Sequence, residues 1–201
     1  MPIRRGRWPA GRTPRWLLLG VAALVVAAVL VGLAHRPSPG QRAADLRAFL
    51  ADMRTDIQSC AGGVGESLTA LRGLGPLPSP KTSEVKDTIS IAAYGASNCS
   101  PANSEVLDGL EGYQVTESLA SFRLDRVVSG LVAWAAPDAI DVQTDVARIL
   151  TAPSAHDKAA DTAALQQALR RLNAQRSAVD KIMESANRSL SAHATLPSLP
   201  G

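Results

Sequence analysis

Apolar side chains recur at Leu46, Leu50, Met53, Ile57, Cys60, Val64, Leu68 and Leu71, in steps of 4, 3, 4, 3, 4, 4 and 3. Residues three and four apart share one face of an α-helix, so this stripe predicts a helix over about 41–72. Gly62 and Gly63 fall inside it and point either to a bend or break, or to close packing by a neighbour. Residues 73–80, a glycine followed by prolines, form the stop. Thr82 or Ser83 then caps a second helix with Glu84 in its first turn and a stripe at Val85, Ile89, Ala92, Ala96 and Cys99. Ser100-Pro101 ends it.

A third segment starts at Asn103 or Ser104 and reaches about 135, carrying Val106, Leu107, Leu110, Tyr113, Leu119, Phe122, Val127, Leu131 and Trp134. Its period weakens between Gly112 and Thr116, which points to two helices. Pro137, with Asp138 beside it, opens the next helix, whose face holds Ile140, Val146, Ile149 and Leu150 and which stops before Pro153. A last long helix over about 154–192 presents Leu165, Leu169, Leu172, Val179, Ile182, Met183, Ala186 and Leu190. No stretch alternates as a strand would. Short connections between amphipathic helices predict an all-α fold, an up-and-down bundle of four to five helices.

Before these helices, Leu17 to Ala34 holds eighteen residues and no charge. As a helix it would span about 27 Å, close to the thickness of a bilayer's hydrocarbon core. Trp16 stands at its edge, and Arg4, Arg5, Arg7, Arg12 and Arg15 precede it with no acid among them. This excess of arginine keeps the N-terminus in the cytoplasm and sends the remainder outside. The expected organisation is a cytoplasmic basic tail at 1–15, a single transmembrane signal anchor at 16–35, a linker at 36–42, an extracytoplasmic helical bundle at 43–194 and a disordered tail at 195–201. The competing reading is a signal peptide cleaved after Ala34, giving a secreted domain. The apolar run exceeds the roughly 7–15 residues of such peptides, which favours the anchor.

Charge changes the picture once the anchor is set aside. The chain carries +3 overall, but seven of its 21 basic residues lie at or before Arg42 and all 18 acids lie after it. From residue 43 onward, 14 basic residues face 18 acidic ones, so the domain is acidic and lacks the basic face a nucleic-acid partner would need. Arginine outnumbers lysine 17 to 4, and alanine, glycine, valine and leucine abound, a usage that resembles high-GC bacterial coding. Aromatic residues make up only 3%, so aliphatic and alanine side chains must fill the core, which suits close helix packing.

The two cysteines, Cys60 and Cys99, both lie on apolar stripes. In an antiparallel hairpin of the first two helices they stand about 18 and 24 Å from the turn, at similar heights. In an oxidising exported compartment this predicts a disulfide. Their spacing of 39 fits neither a redox Cys-x-x-Cys pair nor, with His35, His156 and His193 scattered, a metal site.

Other polar groups carry chemistry weakly. Asp138, Asp141 and Asp145 share a helix face and could hold a hard cation, but acids at a helix N-terminus are favourable by themselves. His156, Asp157 and Asp161 could form a base with orienting carboxylates, yet no nucleophile accompanies them. Arg170, Arg171 and Arg176 read as a solvated basic face or an anion-docking patch, and Trp134 as core packing or an exposed anchor. Asn98-Cys99-Ser100 and Asn187-Arg188-Ser189 match the glycosylation tripeptide by chance as easily as by use. No catalytic residue, metal ligand or cofactor is assigned. The expected function is that of a membrane-bound interaction or scaffold module with an envelope protein partner; the alternative is a domain that binds or senses a lipid or envelope metabolite.

Overall fold

The computed structural model describes residues 37–74, 82–101 and 109–201. Every regular element among them is helical: α1 (Pro39–Gly73), α2 (Ser83–Asn98), a 3₁₀ turn (Glu117–Phe122), α3 (Asp125–Ala133), a π-helical segment (Trp134–Ala139), α4 (Ile140–Thr151) and α5 (Ala155–Ser189). The apolar run Leu17–Ala34 lies outside the described residues. No helix among the described residues is long and apolar enough to cross a membrane.

α1 begins inside the expected linker. Pro39 tolerates the first helical turn, where its missing N–H would have no partner, so helix replaces linker over 39–42. The helix runs unbroken through Gly62 and Gly63. Its stripe is buried as the periodicity requires, with Leu46, Leu50, Met53 and Val64 fully enclosed. α2 is capped by Thr82, whose hydroxyl accepts from the Val85 N–H at 3.4 Å. Cys60 and Cys99 are disulfide-bonded with their Cα atoms 4.8 Å apart. A Cβ built on Gly63 would lie 2.7 Å from Gly95 Cα. Pairs 60–99 and 63–95 have nearly constant index sums, so α1 and α2 run antiparallel.

The third segment departs from a simple helix. Residues 113–116 belong to no regular element, Thr116 is extended, the 3₁₀ turn follows, and Arg123 takes a left-handed backbone conformation (φ 55°). Long-range bonds to α1 replace helical ones here. The Tyr113 hydroxyl donates to Asp52 at 3.0 Å, Ser118 donates to Asp45 at 2.6 Å, and Arg42 donates to the Ser118 carbonyl while lying 5.1 Å from the Phe122 ring centre. Pro137 does not open a new helix by itself. It follows a cis peptide from Ala136, which is extended, inside the π-helical segment joining α3 to α4.

α5 starts at Ser154, whose Oγ accepts from the Asp157 N–H at 3.1 Å while its hydroxyl donates to the Asp157 carboxylate at 2.6 Å. It ends at Ser189, three residues short of the expected end. Ser191 and His193 adopt positive φ, and the Asn187 side chain bonds both the N–H and the carbonyl of Ala194, turning the chain back. The segment 195–201, expected to be disordered, packs instead. Leu199 is buried, and Arg176 donates to its carbonyl at 3.3 Å. The reason is burial: Leu196 and Leu199 find apolar surface once the chain reverses after α5.

Within Pro39–Gly201, α4 is the central element, touching α1, α2 and α5, while α3 rests on α5. Arg171 of α5 meets Asp138, and a Cβ on Gly130 would lie 2.6 Å from Val179, so α5 runs antiparallel to the α3–α4 path.

Candidate functional site

Two adjoining hollows lie along the exposed face of α1. The larger, about 620 Å³, lies between α1 and the C-terminal segment, lined by Ile57, Ala61, Leu196 and Pro200 with Arg54 at one end. The second, about 410 Å³, shares Gln58 and Gly62 with it and is bounded by Tyr94 and Asn98 of α2. Gly62 is exposed, and a Cβ built there would meet nothing within 4 Å. Tyr94 is 69% exposed, the one large hydrophobic side chain so placed among the described residues. The two hollows form a shallow strip whose only charged lining side chains are Arg54 in the first and Glu66 in the second.

A third hollow of about 350 Å³ lies beside α3, floored by Tyr113, Val115, Val128 and Val132 and rimmed by Glu111 and Asp125. Burial, and then the charge of Asp52, push the Asp56 carboxyl above the usual carboxylate range. Burial and the bond to Asp52 push the Tyr113 phenol up to about 12.

The structure divides the polar groups singled out from the sequence. Asp138 and Asp141 both accept from Arg171, at 2.9 and 2.7 Å, and Asp145 accepts from Arg148 at 3.3 Å. Burial raises the Asp145 carboxyl above its ordinary range against the pull of Arg148. The three aspartates are thus held by guanidinium groups. No group of three or more His, Cys, Asp or Glu among the described residues is placed to hold a metal. Asp157 lies in the first turn of α5, paired with its cap Ser154, and the arginine trio is split between the Asp138–Asp141 bridge, the Leu199 carbonyl and, at Arg170, open solvent. Trp134 is fully buried, which removes it as an exposed anchor. Its Nε1 has no partner among the described residues.

Sequence reasoning missed Gln143. It is fully buried where α1, α2 and α4 meet, donating to the Ala139 carbonyl at 3.2 Å and standing 3.4 Å from Cys99 Sγ. A glutamine beside Val142 on an amphipathic helix gives no local sign of this. The C-terminal wall of the larger hollow was missed as well, because its prolines read as a tail.

Set against known protein families, curated proteins and solved structures, the chain matches none of them.

Proposed function

We propose that this protein is a single-pass, membrane-anchored module of the bacterial cell envelope, with its helical domain outside the cytoplasm, which works by binding a protein partner. The single observation that supports an interaction role is the α1 strip around Gly62 and Tyr94. A glycine inside a helix costs about 0.5–1 kcal/mol relative to alanine. No neighbour among the described residues needs the missing Cβ of Gly62. A flat backbone surface beside an exposed tyrosine is the surface a partner can approach closely, and tyrosine is enriched among interface anchors. The uncharged run Leu17–Ala34 supports the anchor, and the Cys60–Cys99 bond suits an oxidising compartment.

The test is a photoreactive amino acid at position 94, irradiated in native membranes, followed by purification through a C-terminal tag. One envelope protein attached in stoichiometric amount is the expected result. Recovery of a monomeric domain, released from the membrane and free of associated protein, would overturn the reading.

A second reading, a ligand-binding domain, is favoured by the hollow beside Arg54. Its volume lies in the roughly 300–1,000 Å³ range of small-molecule sites.

A further inference from the structure

We infer that the hollow between α1 and the C-terminal segment binds an amphiphile with one anionic head group and an aliphatic body; this rests on the ligand-binding reading above. The floor is aliphatic, made by Ile57 and Ala61 on one wall and Leu196 and Pro200 on the other. Arg54 stands at the end nearer the α1 N-terminus and makes no hydrogen bond or ion pair among the described residues. Five arginines are engaged, Arg42 and Arg47 with backbone carbonyls, Arg148 and Arg171 with carboxylates and Arg176 with the Leu199 carbonyl; of the exposed arginines without such a bond among the described residues, Arg54 is the one that lines this hollow. Among the described residues no carboxylate side chain lines this hollow, so the guanidinium of Arg54 is its one charged side chain. Gln58, Thr195 and Ser198 add neutral donors to the wall.

This donor set selects a ligand class. A guanidinium presents a planar fork that matches a carboxylate or phosphate in two parallel bonds. Aliphatic walls reward removal of apolar surface from water. A wholly polar anion would leave those walls wet, and an uncharged hydrocarbon would leave the guanidinium without a counter-charge. A molecule with both parts satisfies both.

The experiment uses the full chain in phosphatidylcholine nanodiscs with three diazirine probes of equal chain length: an alkyl carboxylate, an alkyl phosphate and the matching alcohol. After irradiation, labelled peptides are mapped by mass spectrometry. The carboxylate or phosphate should label residues 54–62 and 195–200, and which one labels more identifies the head group. Arg54→Gln should lower that labelling at least about tenfold, the loss of a charge-assisted bond. Gly62→Leu should block it without harm to the fold, because its side chain enters open space. Equal labelling by the alcohol, unchanged in Arg54→Gln, would overturn the anionic assignment while leaving ligand binding standing. Labelling scattered along the chain, or none in the hollow, would overturn both.

Discussion

Gln143 fills the space that a side chain on Gly95 would need. A Cβ built on Gly95 would overlap Gln143 Oε1, and the carboxamide carbon would be 3.0 Å away. Ser67 Oγ lies 3.4 Å from the same oxygen and donates to the Gly63 carbonyl at 2.7 Å. The two glycines let α1 and α2 approach until only this carboxamide fits between them and α4. A buried amide is tolerated because its polar atoms keep partners.

Gly95→Ala should therefore destabilise by about 1–3 kcal/mol, the range for an overpacked interior. Gly62→Ala should stabilise by about 0.5–1 kcal/mol, since it only removes glycine's backbone freedom in the unfolded chain. Urea unfolding of the two variants side by side checks both signs. Equal effects would mean that the α1–α2 contact is looser than described.

The disulfide closes a sequence separation of 39. Constraining the unfolded chain over such a loop is worth about 4 kcal/mol in the chain-entropy model. Cys60→Ala with Cys99→Ala should shift the denaturation midpoint accordingly, and reductant should do the same to the wild type. Recovery of two alkylated thiols from native, unreduced protein would show the bond to be absent in solution.

Tyr113 is one of two tyrosines in the chain and ionises late, with its phenol pushed up to about 12 by burial and by Asp52. A raised folded-state value means that the folded protein holds the phenolic proton more tightly than the unfolded chain does. This contribution to stability is whole below the ordinary value near 10 and fades as pH climbs from there toward 12. Alkaline absorbance titration should resolve a late step from Tyr113. Tyr113→Phe should abolish the late step and flatten the stability loss across that window. A single transition near 10 would contradict the Asp52 contact.

Arg171 bridges Asp138, whose side chain is only 8% exposed, and Asp141, which is 47% exposed. Bonding to Asp138, the leading cause, raises the guanidinium above its ordinary value. Arg171→Met should lower stability because it leaves the Asp138 carboxylate buried and unpaired. Combining it with Asp138→Asn should cost less than the two single changes added together. A double-mutant cycle by chemical unfolding reads this directly, and simple additivity would deny the pairing.

Much of the helical layout was legible in the sequence. The stripe from Leu46 to Leu68, the Ser83 start and the Ser154 region each obey local rules of period and capping, and the structure buries or caps those residues. The stretch from Tyr113 to Phe122 was not legible. Its side chains bond residues of α1 more than 60 positions away, and no local period records such partners. The tail at 195–201 was misread for a related reason. Prolines and the lack of a stripe describe a chain that is not helical, but they do not tell an extended segment held by Leu199 from a loose one.

The sequence by itself determined the helical class, the buried face of each long helix, the acidity of the domain and the opposing heights of Cys60 and Cys99. These follow from periods of three and four, from charge counts and from the rise of a helix, all of which are local. Only the tertiary structure decided that α4 sits against both α1 and α2, that Gln143 lies beside Gly95, that Arg171 takes up two of the aspartates, and that the C-terminal segment walls a hollow over α1 while leaving Arg54 without a hydrogen bond or ion pair among the described residues. Those relationships join residues far apart in the chain. Their free energy arises from packing and charge pairing that exist only once the helices have met.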